Sequence, residues 1–346
     1  MFKLPVSHLD KFFSAVNGEM ALYLPIESDG LVQFNPFTPG ADVRLDKLNT
    51  VRSPKDFFFP HTEDIAAFKT RKKEVMIEDI QSPAEPFALF GVRACDAYSL
   101  ELLDLIFLSD PADTFYESRR KSGIIITAAC FEPEESCFCG TFNIDATSPG
   151  GDIATWLVGD TLYLKCMTKR GNELIEKVNG LLSSTGREDE VVISKHESKA
   201  KEIFSKLPFA GINPDIFTPG VMMKRFNATQ WAKLHSACIG CGTCTFICPT
   251  CHCYDIQDFN TGCKIIRSRC WDSCMYSDFT LMAHGNPRPS RLERFRQRFM
   301  HKLIYFPENH NGAYACTGCG RCVKKCPISM NIVKVINALE VEDNVQ

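Results

Sequence analysis

Cys238-Ile-Gly-Cys241-Gly-Thr-Cys244-Thr-Phe-Ile-Cys248-Pro249 returns 78 residues later as Cys316-Thr-Gly-Cys319-Gly-Arg-Cys322-Val-Lys-Lys-Cys326-Pro327. Both copies read C-x2-C-x2-C-x3-C-P. Three thiolates at this spacing wrap a tight loop around one iron-sulfur cube, and Gly240, Gly242, Gly318 and Gly320 let backbone amides approach the sulfurs. The proline sends the fourth cysteine away from its own loop. The repeat therefore predicts two 4Fe-4S sites. Structural zinc, the blander reading of paired cysteines, takes four ligands, usually as two separated pairs. Neither copy offers that arrangement.

In two-cluster ferredoxins the fourth cysteine of each run ligates the other cluster. The expected ligand sets are Cys238, Cys241, Cys244 and Cys326 for one cluster, and Cys316, Cys319, Cys322 and Cys248 for the other. Two shorter matches overlap the first run. Cys248-Pro-Thr-Cys251-His252 fits the c-type haem attachment pattern, but the second copy has no equivalent and the chemistry needs export. Cys244-x3-Cys248-x2-Cys251 has the spacing of radical enzymes that use S-adenosylmethionine, yet no repeated β/α units follow it. The double run explains the same residues better.

The chain has 346 residues, 45% apolar and 23% charged, enough for one or two hydrophobic cores. A formal charge of −3 argues against non-specific binding to nucleic acid. Of the 18 cysteines, residues 1–237 hold five and residues 238–346 hold thirteen. Lys3, Asp10 and Lys11 interrupt the apolar stretches at the start, and no small-residue cleavage site follows, so an export signal is not expected. Residues 124–131 form one of the longest apolar runs, well short of the ~18 residues of a membrane span. These features point to a cytoplasmic protein with no membrane span, where dense cysteine reads as metal binding.

Residues 1–215 read as an α/β domain. Strands are expected at 88–92, 123–127, 161–165 and 191–194, with helices at 98–108, 173–182 and 197–207. Pro208, Pro214 and Pro219 punctuate a linker, and a helix over 231–236, capped by Asn227 or Thr229, leads into the first cysteine run. The segment 289–302 is helical in character and strongly basic (Arg291, Arg294, Arg296, Arg298, Lys302). It reads either as a solvated face or as charge that offsets a cluster or docks an acidic partner.

Cys95 follows the first expected strand and Cys130 the second. If the two strands are parallel neighbours, both thiols stand at the carboxyl edge of the sheet, where open α/β sheets place their ligands. Cys137-Phe-Cys139 follows through an acidic loop (Glu132, Glu134, Glu135), so four cysteines converge and Cys166 is left over. A third 4Fe-4S cluster and a set of buried free thiols are both open on this spacing. Cys251, Cys253, Cys263, Cys270 and Cys274 read as buried structural thiols, with a further cluster or a redox pair as the sharper alternative.

Gly91-Val-Arg-Ala-Cys-Asp-Ala-Tyr-Ser-Leu-Glu-Leu-Leu-Asp104, Cys130…Cys137-Phe-Cys139, Cys248-Pro-Thr-Cys251-His-Cys253-Tyr and Trp271-Asp-Ser-Cys274-Met275 occur here in order. Together with the two runs they resemble the β-subunit of cytoplasmic nickel-iron hydrogenases (sulfhydrogenases), and they are similar to the iron-sulfur subunit of anaerobic sulfite reductase. The resemblance covers most of the chain from about residue 57. Ser53-Pro-Lys-Asp-Phe-Phe-Phe-Pro60 looks more like the hydrogenase side. The resemblance implies that residues 216–346 form a mostly helical two-cluster ferredoxin domain. It also implies a third cluster on Cys95, Cys130, Cys137 and Cys139. Its partners would be a flavoprotein subunit handling NAD(P)H and a catalytic subunit of hydrogenase, sirohaem sulfite reductase or heterodisulfide-reductase-like type.

The chain has no G-x-G-x-x-G fingerprint and no G-x-x-x-x-G-K-[ST] loop. The leading expectation is therefore a non-catalytic electron-transfer subunit with no catalytic residues of its own. The alternatives are a subunit that reduces a sulfur compound directly, using Cys251, Cys253 or Cys274 at an open iron site, and an adaptor whose clusters serve only folding.

Overall fold

The structure, a computed structural model, describes all residues except Leu48, Lys72, Lys73, Pro219, Cys263 and Gln346, together with the side chains of Thr70, Arg71 and 341–345. Pro219 of the expected linker and the leftover Cys263 thus lie outside the described residues.

Phe87-Ala-Leu-Phe and Gly123-Ile-Ile-Ile carry no charge, as strands buried on both faces require. They form the centre of an eight-stranded mixed sheet. Its strands are β1 (Phe2–Pro5), β2 (Ala21–Ser28), β3 (Leu31–Pro36), β6 (Phe87–Val92), β7 (Gly123–Ala128), β8 (Ile153–Val158), β9 (Thr161–Cys166) and β10 (Ser183–Ser184). The order is β10-β1-β9-β8-β7-β6-β2-β3. The pairs β2/β6, β6/β7 and β7/β8 are parallel, with Phe87 opposite Gly123 and Phe90 opposite Ile126.

Alternation along the central strands fills two layers. Ala88, Phe90, Ile124 and Ile126 pack with Phe12, Phe13 and Val16 of the helix Leu9–Glu19 and with Leu174, Ile175 and Val178 of Lys169–Val178. Phe87, Leu89 and Ile125 pack on the other side with Leu100, Leu103 and Phe107 of Ala94–Phe107 and with Tyr116 of Thr114–Ser122. Each fully buried large apolar side chain contributes about 1.5–3 kcal/mol.

Three expectations change. The helix expected from 98 begins at Ala94, so Cys95 lies in its first turn. The helix expected over 173–182 is Lys169–Val178, extended by a 3-10 turn. The strand expected at 191–194 is instead the middle of one helix, Arg187–Ser205. Val191 stays 67% exposed there while Ile193 is buried against Ala154, Trp156 and Tyr163, a helical and not a strand-like alternation.

The C-terminal part contains a short helix inside each cysteine run, the helix Arg291–Met300 continuing into a π-turn at His301–Tyr305, and the terminal helix Ile332–Val345. It is not purely helical. A hairpin of β11 (Tyr254–Asn260) and β12 (Lys264–Trp271) pairs with β4 (Thr62–Arg71) and β5 (Glu74–Glu78) in a second, antiparallel sheet of order β11-β12-β4-β5. Buried Arg269 on β12 fastens this crossing through ion pairs to Glu63 and Asp113. One apolar core holds Ala94, Phe138 and Phe142 from the first half together with Phe299, Ile304, Ile336 and Leu339 from the second. Among the described residues no helix is long and apolar enough to cross a membrane.

Candidate functional site

The two cysteine runs fold alike. Gly240 and Gly318 have φ of +73° and +60°, Gly242 and Gly320 have +72° and +79°, and a short helix follows each pair, Thr243–Phe246 and Arg321–Lys325. This left-handed backbone, open to glycine at little cost, turns the loop inward. Gly240 donates its amide to the Cys238 sulfur at 3.4 Å.

Cys238, Cys241 and Cys244 line one cavity together with Cys326 of the other run, and Phe295, Met275 and Arg298 close it. Around the second run Cys316 and Cys319 are buried and Cys322 half-buried. Burial pushes all three thiols up, Cys322 to about 12, and the neighbouring Cys248 sulfur of the first run adds to each rise. Each fourth cysteine therefore stands with the opposite run, as the ferredoxin crossover demands.

A second cavity gathers Cys95, Cys130, Cys137 and Cys139. The parallel register of β6 and β7 puts Cys95 and Cys130 at one sheet edge. The Cys130 amide donates to Ala146 O at 2.8 Å, and Cys139 opens a 3-10 turn. Burial raises all four thiols, Cys137 and Cys139 to about 12. Gly318 and Cys319 of the second run complete the lining. A Cβ on Gly318 would run into the Phe138 carbonyl and the Cys139 amide, and one on Gly320 into Ser136 O at 2.6 Å. The Phe138 amide donates to Gly318 O at 2.9 Å, so the two loops touch backbone to backbone.

Buried cations serve these sulfurs, Arg321, Lys302 and Arg298 among them. Arg321, inside the second run, makes a two-pronged ion pair with Asp96 (2.5 and 2.7 Å), the neighbour of Cys95, and donates to Thr50 O at 2.9 Å. Both partners are buried. Lys302 donates to Cys248 Sγ at 3.3 Å, Thr250 Oγ1 at 2.9 Å and Ala315 O at 2.9 Å. Its place in a π-turn, a distortion that recurs at functional sites, carries it inward. Burial works against the Arg298 charge, but Cys244, Cys322, Cys251 and Cys248 outweigh it and hold the guanidinium above its ordinary value.

The basic stretch thus divides. Arg298 and Lys302 lie with Phe295 and Phe299 on the buried side of the helix, whereas Arg291 faces solvent. Arg294 is spent on Met275 O, Arg288 O and Pro289 O, and Arg296 lies 3.5 Å from the Phe226 ring centre. Arg298 is therefore an internal charge beside cysteine sulfurs, as the cluster-offsetting reading of the stretch requires, and not part of a solvated face.

The cavities suit iron-sulfur cubes. Arg298 Nε and Thr317 Oγ1 are buried with no partner, a cost that cluster sulfides accepting hydrogen bonds would remove. Among the described residues no three Cys, His, Asp or Glu side chains converge closely enough for a single metal ion. Two of the thiol sets line cavities, the arrangement a cube needs.

Sequence reasoning missed the Asp96–Arg321 pair, whose members are 225 positions apart, and Lys55, whose ammonium donates to Cys251 O at 2.8 Å and sits 3.5 Å from the Trp271 ring centre. Burial lowers the Lys55 pKa to about 8 against the pull of Cys251 and Cys248. The 3–4 spacing of Phe295, Arg298, Phe299 and Lys302 was the available signal for the buried cations. Cys166 ends β9 apart from both cavities, and Cys270 lies on β12.

A family model for the 4Fe-4S dicluster domain matches residues 237–330. Over 337 residues the chain is 32% identical to sulfhydrogenase 2 subunit beta of Pyrococcus furiosus, covering 97% of each chain. No solved structure matches significantly.

Proposed function

The chain belongs to the sulfhydrogenase β-subunit family, and from that premise we propose that it is a three-cluster electron-transfer subunit working between a flavin-bearing NAD(P)H subunit and a catalytic subunit in the cytoplasm. Residues 1–215 would contribute Cys95, Cys130, Cys137 and Cys139. Residues 216–346 would hold the other two clusters on Cys238, Cys241, Cys244 and Cys326, and on Cys316, Cys319, Cys322 and Cys248. Each 4Fe-4S cluster would supply one-electron exchange.

The observation that carries this reading is adjacency. Cys319 belongs to the second run and also lines the cavity of the first-half cysteines. The crossover of Cys248 and Cys326 interlocks the two runs in turn. The three sites therefore stand as neighbours in succession, and the outer member carries exposed Cys241. The protein's own part is electrostatic and mechanical. Arg298, Lys302 and Arg321 bring fixed positive charge to thiolate-rich sites, favouring the added electron. The Asp96–Arg321 pair and the Phe138–Gly318 contact hold two sites in register.

Anaerobic native purification tests the assignment. Co-purification at constant ratio with a flavin-containing chain and a nickel-containing chain is the expected outcome, and a sirohaem chain in place of nickel would move it to the sulfite reductase side. A chain isolated without any redox partner and without iron would overturn it.

A further inference from the structure

Three thiols, Cys251, Cys253 and Cys274, stand outside the ligand sets beside the first and second sites, and the last two face each other. The hairpin ladder pairs Tyr254 with Trp271, and the Asp272 amide extends it one step by donating to Cys253 O at 2.9 Å. The chain then turns at fully buried Ser273, whose Oγ exchanges a hydrogen bond with Thr245 Oγ1 at 2.8 Å and accepts the Met275 amide at 3.2 Å. This anchored turn folds Cys274 back onto Cys253. There the Cys274 thiol and amide draw the Cys253 thiol below its ordinary value, and Cys253 pushes the Cys274 thiol up.

The surroundings are cationic. Lys302 and Lys55 favour the Cys253 thiolate, and Arg298 and Lys302 act on Cys274. The same Arg298 and Lys302 act on Cys244 of the first site and on Cys248, Cys316 and Cys322 of the second. Both thiols are half-buried. Two neighbouring thiols that are partly open, surrounded by positive charge and next to the proposed one-electron centres have what thiol–disulfide chemistry requires.

We propose that Cys253 and Cys274 are a redox-active dithiol that exchanges two electrons with the neighbouring iron-sulfur centres. On oxidation the two S–H bonds break, one S–S bond forms and two protons leave to solvent. The two electrons reduce the two adjacent oxidised 4Fe-4S centres by one each, and reduction of the disulfide runs the same steps backwards. The pair thereby stores as a couple what the clusters carry singly. This inference rests on the cluster reading above.

The test uses the full chain, purified and loaded with iron without oxygen, in wild-type and C253S/C274S forms. Samples poised along a potential series are quenched with N-ethylmaleimide and their peptides weighed. Cys253 and Cys274 should lose reactivity together and appear as one cross-linked pair of peptides. Full oxidation should remove about two more electrons per chain from wild type than from the double variant, with iron content and cluster spectra equal in both. Equal electron counts, with both cysteines labelled at every potential, would overturn the proposal. Loss of iron in the double variant would also overturn it, because the pair would then be ligands. An iron-poor wild-type chain would count against the cluster reading alone. Poising that chain in glutathione or dithiothreitol buffers still reports whether the disulfide forms.

Discussion

The first and second cysteine runs share spacing, glycines and proline, and they differ in almost everything around them. In the first, Cys241 is exposed, Ile239 is 58% exposed, and a Cβ on Gly240 would meet only the Arg291 side chain at 3.9 Å. In the second, Cys316 and Cys319 are buried, Gly318 and Gly320 press on the backbone of 136–139, and Arg321 replaces Thr243 as a buried ion-pair partner. One motif thus lies at the surface in one copy and inside the molecule in the other, which under the proposed three-cluster reading makes the first an outer terminus and the second an internal junction.

The crossover offers the largest effect with which to break this comparison. Cys248→Ser should remove the signal of the inner cluster, held otherwise by Cys316, Cys319 and Cys322, and cut iron by about 4 per chain. Cys238→Ser should remove the outer signal. Electron paramagnetic resonance of the two reduced variants checks the assignment, and identical losses in both would refute the crossover.

Next in size is the buried ion pair. Arg321→Met leaves the Asp96 carboxylate buried without its partner and should cost about 3–5 kcal/mol in chemical denaturation. The matching change in the outer run, Thr243→Ala, should cost about 1 kcal/mol or less. The double variant D96L/R321M should recover much of the single loss. Similar costs for Arg321→Met and Thr243→Ala would mean that the inner run is not a junction.

Glycine substitutions sharpen the same contrast. Gly240→Ala meets mainly the penalty of a left-handed backbone, roughly 1–2 kcal/mol. Gly318→Ala adds a clash with the Phe138 carbonyl and should lose several times as much, read as a lower melting temperature of the iron-loaded chain. Equal shifts would contradict the close contact between the loops.

Much of this architecture was legible beforehand because its signals are local. Apolar runs marked β6 and β7, the repeat marked the cradles, and parallel pairing of two strands brought Cys95 to Cys130. Failures came where distant partners decide the outcome. Val191-Val-Ile193 has strand propensity, but the acidic first turn at Glu188, Asp189 and Glu190 and the apolar platform under Ile193 select a helix. Tyr254-Asp-Ile-Gln alternates, but Asp258-Phe259 breaks the pattern and the strand is exposed along its length; it pairs with β12, whose other neighbour, β4, lies near residue 65. No local pattern links Asp96 to Arg321.

The smallest effect concerns the outer face. Arg291→Glu, next to Gly240 and clear of the core, should slow electron exchange with a partner by about 2–5-fold at low salt and hardly at all near 0.5 M, because exposed charges are screened within a Debye length of about 10 Å at 0.1 M. A salt-independent rate change would remove the outer run from the docking face.

The central claim is that three clusters, and not two, stand in line, and counting iron tests it most directly. The anaerobically reconstituted wild-type chain should hold about 12 iron atoms. Cys95→Ala or Cys139→Ala should hold about 8 and keep both dicluster signals, since four irons belong to each cube. A wild-type chain with about 8 irons, and with Cys95, Cys130, Cys137 and Cys139 all open to alkylation, would contradict the account.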